Sequence, residues 1–442
     1  MDEPVARADL VSVDAGPGRA ASRGEADVLA AIDREELISL ALDLANIDSP
    51  PGQEKPVSDY ILQWLTDNGI RGRQIGIVPD RPNVVGRISG SGGGLDLVFN
   101  AHMDVAWGPE ERRWMHDPDN PFYTSAWRDG DTLTGNGLVN DKGPLACTLI
   151  AAKAIKEAGV SLLGDVIVTG VCGEIGQEPV DEFAAPAYLS KEVGTRYLIT
   201  HGIVADFAFV AEATDFGVTW VEAGKAFFKV TVLGGNSRYT PYIDHPADLG
   251  ANGNALVRLA PVVTHLEHWA RRYEVEHTYA FDGGLCIPKV NIGAIRGGQP
   301  FIPIVTAEKC FIYLDVRLTP TQTAMQVMAE LKAELATLDV PTEVECTLFR
   351  RGYEAVGAEP LLEALRQSHE AEFDRPMPAL EPPLSSMWRD TNPFNEVGIP
   401  AITYGPAAGV GGGLFWAEAD DFVHAARVYA RTALNICSQA RS

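Results

Sequence analysis

The chain has 442 residues, 46% of them hydrophobic and 22% charged, and its 36 Lys and Arg against 60 Asp and Glu leave a formal charge of −24. That length suits two or three domains with a large core, and the composition excludes a disordered chain, a collagen and a membrane bundle. A field of that sign repels nucleic acid and anionic lipid, so neither is an expected partner.

In chain order, residues 1–24 show no periodicity and predict a mobile arm. Helical spacing starts near Glu25 and stops at Ser49-Pro50-Pro51-Gly52, a strong breaker, and a second helix is expected over Pro56–Asn68. Strands follow at Asn83–Ile88 and Leu95–Asn100, with Ser89–Gly94 as the turn between them. A helix over Pro144–Ala158, a strand over Asp165–Val171, a helix near Val180–Val193 and a strand over Phe207–Val210 complete a strand–helix alternation. Such alternation predicts an α/β domain with a mixed, largely parallel sheet and helices on both faces.

The pattern changes after Glu222. Strand-like Lys225–Leu233 is followed by a helix over Asn252–Tyr273, strands at Val290–Ile295 and Glu308–Leu318, a helix near Thr323–Leu338 and a strand at Glu343–Leu348. This β-α-β-β-α-β order predicts a ferredoxin-like α+β domain over residues 223–349, inserted into a catalytic domain made of 25–222 and 350–442. The α/β character returns with Ala401–Tyr404 and a final helix near Ala419–Ser438. The six cysteines (Cys147, Cys172, Cys286, Cys310, Cys346 and Cys437) form no C-x-x-C pair and suit buried, reduced thiols. With no secretory leader and no membrane-length apolar run read in the sequence, the expected location is the cytoplasm.

The chemistry-bearing residues follow strands. His102 and Asp104 come directly after an apolar run; two apart on extended chain, they face the same way. Ligands of open α/β sheets bind at the carboxyl ends of strands, which puts His102 in place to hold a metal and Asp104 in place to fix its ring. Asp141 lies in the glycine-rich loop Gly135–Gly143, Glu174 follows the strand ending at Val171, and Glu212 follows the strand ending at Val210. One His, one Asp and two Glu at such places suit a divalent ion. A phosphate loop is excluded, because Gly-Lys-Ser/Thr is missing and Pro144 follows Gly143.

Several stretches in this order, FNAHMDV at Phe99–Val105, GNGLVNDKG at Gly135–Gly143, EIG at Glu174–Gly176, AEAT at Ala211–Thr214, GNAL at Gly253–Leu256, DVR at Asp315–Arg317 and GIPAITYGP at Gly398–Pro406, resemble the zinc peptidase family of aminoacylases, acetylornithine deacetylases, succinyl-diaminopimelate desuccinylases and glutamate carboxypeptidases. The resemblance implies a catalytic domain with an inserted lid that dimerises, and hydrolysis of a C–N bond in a small substrate bearing a carboxylate. It implies a first metal site of His102, Asp141 and Glu212, and a second that shares Asp141 and adds Glu174 and a late His.

This chain departs from that pattern at three points. The position of the family's general base is Gly173; Trp416-Ala417-Glu418 stands where the late His is expected; and the lid His position falls on Tyr239, with His245 close by. The changed second site predicts one divalent ion per active site, Mn or Zn, with hydroxide supplied from its bound water as nucleophile. Glu174 is then free to act as base, with Glu178, Glu182 and Glu418 as rivals. Expected substrate contacts are Arg389, Tyr239, Asn236 and Ser385, with Arg238 and Arg317 as further carboxylate clamps and Trp388, Phe415 and Trp416 as aromatic walls. Loss of the lid His, which polarises a carbonyl in the family, makes hydrolytic deamination of an aromatic amine the leading specific expectation. The outlying relative with that chemistry is 5-nitroanthranilate aminohydrolase. An amidohydrolase, deacylase or dipeptidase acting on N-acyl amino acids is the alternative, and a non-catalytic binding protein is the third.

Overall fold

The computed structural model describes residues 23–184, 189–411 and 414–441. The expected N-terminal arm therefore lies outside the described residues except for its last two. Six strands make the main sheet, in the order Arg71–Ile75, Asn83–Ile88, Val166–Val171, Leu97–His102, Phe207–Val210, Ala401–Thr403. The last four run parallel and the first two pair antiparallel, so the sheet is mixed and largely parallel, as the alternation predicts. Alternate residues of each strand enter opposite cores. Phe99, Val168 and Phe209 face the core shared with the helices Gly143–Glu157 and Ala419–Cys437, whereas Val98, Ile167 and Ala208 face that of Val193–Thr200. A sheet buried on both faces needs near-continuous apolar strands, and these runs supply them.

The expected turn Ser89–Gly94 does not join neighbours, because Val166–Val171 is inserted between Asn83–Ile88 and Leu97–His102. The first helical stretch is two helices, Arg23–Ala30 and Arg34–Ala45. The second starts at Asp33, whose carboxylate accepts the Glu36 N–H at 2.8 Å as an N-cap. The helix expected over Val180–Val193 is replaced by a single turn at Asp181–Phe183 and a helix at Val193–Thr200; residues 185–188 of that span are outside the described ones. Asp181, Ser190 and Glu192 have positive φ (49°, 82° and 58°), which no helix tolerates. What overrides local propensity is contact across the fold: Asp181 holds Lys229 at 2.5 Å and the Tyr313 hydroxyl, and Glu182 holds Arg296.

A second sheet, in the order Val290–Gly297, Lys309–Leu318, Gly224–Leu233, Thr342–Arg350, is antiparallel throughout. With the helices Ala255–Glu276 and Ala324–Leu335 it encloses a core of its own. Its strands alternate cleanly: Cys310, Ile312, Leu314, Val316 and Leu318 are buried along one of them. This is the ferredoxin-like strand order, and no strand of the segment joins the main sheet. The chain enters and leaves this unit through paired backbone: Val221–Glu222 against Tyr353–Glu354, then Lys225 opposite Arg350. Among the described residues, no helix is long and apolar enough to cross a membrane.

Candidate metal centre

Three parallel strands end at the same edge of the sheet. His102 closes one of them opposite Val171, the last residue of the next, and Asn100 stands opposite Val210, two residues before Glu212. This register brings His102, Glu174 and Glu212 to one place. The loop before the helix Gly143–Glu157 supplies Asp141, whose Oδ2 accepts the backbone N–H of His102 at 3.1 Å.

The ring of His102 is buried between carbonyl oxygens: Nδ1 lies 2.9 Å from the Asp104 backbone oxygen and Nε2 lies 2.7 Å from Asn140 Oδ1. Burial disfavours the imidazolium, but the charges of Asp141, Asp104, Glu174 and Glu212 outweigh it and push the ring up to about 10. Asp104 fixes the ring through its backbone carbonyl; its carboxylate, expected in that role, stands 3.6 Å from Nδ1. That carboxylate instead accepts the N–H groups of Glu174 and Ile175 at 3.1 and 2.7 Å, pinning the loop that carries Glu174. Burial pushes Asp104 up to about 6 against the pull of His102.

Glu174 is nearly buried. Its Oε2 lies 4.0 Å from His102 Nε2, and among the described residues its carboxylate accepts no hydrogen bond. Glu212 is held from behind by Arg389, whose Nε donates to Oε2 at 2.7 Å; burial raises its pKa while Arg389 opposes the rise. Asp390, which the sequence reading passed over, also borders the centre. Its Oδ2 accepts from Thr195 Oγ1 at 2.6 Å and from Asn100 Nδ2 at 3.1 Å, and burial with the charge of Glu174 pushes it up to about 8. Its place beside Arg389 in Trp388-Arg389-Asp390 was the available signal.

The donor chemistry fits a divalent ion. Among the described residues Asp141 Oδ1 is a buried carboxylate oxygen with no hydrogen-bond partner, and Asp104, Asp141, Glu174 and Glu212 surround one imidazole, with Arg389 as the further cation in contact. Such a surplus of buried negative charge is costly unless a cation neutralises it. Among the described residues no three His, Cys, Asp or Glu side chains stand at coordinating distance; His102 Nε2 faces Asn140 and Glu212 faces Arg389.

The substrate contacts expected from sequence scatter. Arg389 is buried between Glu212 and Glu222 and offers no free fork to a carboxylate. Ser385 is buried with its hydroxyl on the Leu285 carbonyl. Tyr239 and Asn236 lie exposed in the lid loop, where Tyr239 bridges to Val305 and its ring neighbours Tyr242 rather than the His102 cluster. Arg238 is paired with Asp244, Arg317 with Asp315, and His245 is exposed. Trp388 is buried under the Lys225 ammonium, while Trp416 and Phe415 belong to a small separate sheet. Among the rival bases, Glu178 accepts from Ser190, Glu182 from Arg296 and Glu418 from Thr132.

Gly173 explains its own lack of a side chain. It has φ +71°, and a Cβ there would lie 2.8 Å from Val193 Cγ1 and 2.9 Å from Arg81 Nη2. Arg81 is itself a buried partner of Glu54 at 2.6 Å, so a guanidinium fills the space beside the expected base position. Gly173→Ala should cost about 1–3 kcal/mol through strain and crowding. Denaturant unfolding checks this, and an unchanged midpoint would refute it.

A family model described as Peptidase family M20/M25/M40 matches residues 98–435. The chain is 27% identical over 405 residues to an N-formyl-4-amino-5-aminomethyl-2-methylpyrimidine deformylase of Bacillus subtilis, covering 84% of this chain and 87% of that protein. Its fold is similar to an M20 family metallo-carboxypeptidase of Sulfolobus solfataricus (TM-score 0.65, 15% identity, 91% of this chain and 99% of that one). It is also similar to human carnosine dipeptidase 1 (TM-score 0.64, 15% identity, 93% and 99%). With the model spanning most of the chain and the acidic centre at the strand ends, the chain belongs to peptidase family M20/M25/M40 and is a metal-dependent hydrolase.

Proposed function

We propose that this hydrolase removes a formyl or other short acyl group from the nitrogen of a small amine. The observation that carries the reading is the free carboxylate of Glu174 beside the surplus-acid centre where Asp141 Oδ1 has no partner. His102, Asp141 and Glu212 would hold one divalent ion, Mn or Zn. Such an ion supplies a Lewis acid for the amide carbonyl and acidifies water. Glu174 takes the proton of the attacking water and returns it to the departing amine nitrogen, so the C–N bond breaks and a carboxylic acid and an amine leave. The Asp104 carbonyl accepts from His102 Nδ1 and leaves Nε2, 4.0 Å from Glu174, as the ring nitrogen that would meet the ion.

The deformylase relative acts, by its name, on an N-formyl aminopyrimidine, which favours an amide over an aromatic amine as the scissile group. Arg389, Arg238 and Arg317 are all paired with carboxylates, so none supports the expected clamp on a substrate carboxylate. An amine-bearing substrate suits that absence and the charge of −24. The outer lid strand Val290–Gly297 is largely exposed, which supports the expected homodimer through the lid sheet.

The test is a parallel assay of Mn- and Zn-loaded protein on an N-formyl aminomethylpyrimidine, N-acetyl amino acids, dipeptides and 2-amino-5-nitrobenzoate. Formate release from the first is expected. Ammonia release from the last, with no formate from the first, would return the reaction to aromatic deamination. Turnover confined to dipeptides would make the protein a peptidase.

A further inference from the structure

Arg389 is one of the largest fully buried side chains of the molecule, and its guanidinium is held on several sides. Nε donates to Glu212 Oε2 at 2.7 Å, and Nη1 lies 3.0 and 3.1 Å from the two oxygens of Glu222 and 3.0 Å from the Leu384 carbonyl. Nη2 rests 3.4 Å from Met387 Sδ. Glu222 is equally buried and is fixed again by the Thr403 hydroxyl at 2.9 Å. It lies in the short strand Val221–Glu222, paired with Tyr353–Glu354 where the chain passes into and out of the second domain. One guanidinium thus spans from a strand-end acid of the metal centre to the backbone crossing that carries the lid.

We infer that Arg389 is a positioning residue of the metal centre, holding Glu212 by one oxygen so that the other is presented to the ion, and anchoring that ligand to the lid crossing through Glu222. The inference rests on the reading of Glu212 as a ligand. A planar fork with donors on two sides can hold two carboxylates at a set separation; an ammonium cannot. Glu212 is thereby spared the loss of side-chain freedom that a free glutamate suffers on binding.

Two roles for this cation predict opposite signs. If Arg389 were only a positive charge near the ion, removing it would tighten metal binding. If it positions Glu212, removing it weakens binding, by about 10–100-fold as for other groups that orient a metal ligand. Arg389→Met combined with Glu222→Gln removes the cation together with its anchoring carboxylate, so no charge is left unpaired at the crossing. Arg389→Lys keeps the charge and loses the fork.

Mn²⁺ and Zn²⁺ affinities are measured on the purified full-length protein by competition with a chelating dye, with thermal melts to establish folding. The expected result is about 10–100-fold weaker binding in R389M/E222Q, and weaker binding in R389K as well. Where R389M/E222Q does not fold, R389K decides. Unchanged or tighter binding in a folded variant, with Glu212→Gln weakened, overturns the inference alone. Wild-type affinity in Glu212→Gln overturns the ligand reading, and the inference with it.

Discussion

His102→Ala should reduce turnover to background and strip the protein of tightly bound metal while leaving the fold in place. Among the described residues His102 is the only imidazole at the centre, and its ring is gripped on one side by the Asp104 carbonyl and by its own strand, so no neighbour among them can replace it. The loss should exceed the about 10–100-fold typical of groups that merely orient a ligand. The fold should survive because the strand Leu97–His102 is held by ladders on both sides and by Phe99 and Val98 in opposite cores. Metal analysis beside a thermal melt checks both halves. Full metal content with full activity would refute the assignment of His102, and a collapsed melt would show that the residue is structural.

Glu174→Gln is the second large effect. The amide keeps the shape of the side chain and cannot take a proton, so the rate should fall by about 10²–10⁴-fold, the usual range for removal of a general base. Metal content should stay at the wild-type level, because the three proposed ligands remain. Glu174 is chosen over its rivals because they are occupied: Glu178 by Ser190, Glu182 by Arg296 at the lid, Glu418 by Thr132. Steady-state rates on a substrate found by the parallel assay measure the effect. A fully active Glu174→Gln protein would exclude it as base, and loss of metal in that variant would make it a ligand instead.

The positions of these residues were legible because the sheet is. Asn83–Ile88 and Phe207–Val210 match the observed strands to the residue; the second is an unbroken apolar run, as a strand buried on both faces requires. Leu95–Asn100 is displaced by two residues toward the C-terminus, where His102 itself closes the strand. The ferredoxin-like order was equally visible in the alternation of its strands. Contacts between distant segments left no such mark. Nothing in Trp388-Arg389-Asp390 announces that its guanidinium is spent on Glu212, 177 residues earlier, so the expected substrate clamp is a buried partner of that carboxylate. Likewise the missing side chain at Gly173 was plain, but the group beside it, Arg81, comes from another part of the chain.

The number of divalent ions per chain at full activity tests the account most directly. Metal-free protein is titrated with Mn²⁺ or Zn²⁺ while binding and hydrolysis are followed together. One equivalent should restore full activity, held by His102, Asp141 and Glu212 with Glu174 left as base. A requirement for two equivalents would place Glu174 on a second ion and contradict the mechanism, and full activity without added metal in chelator would contradict the metal dependence itself.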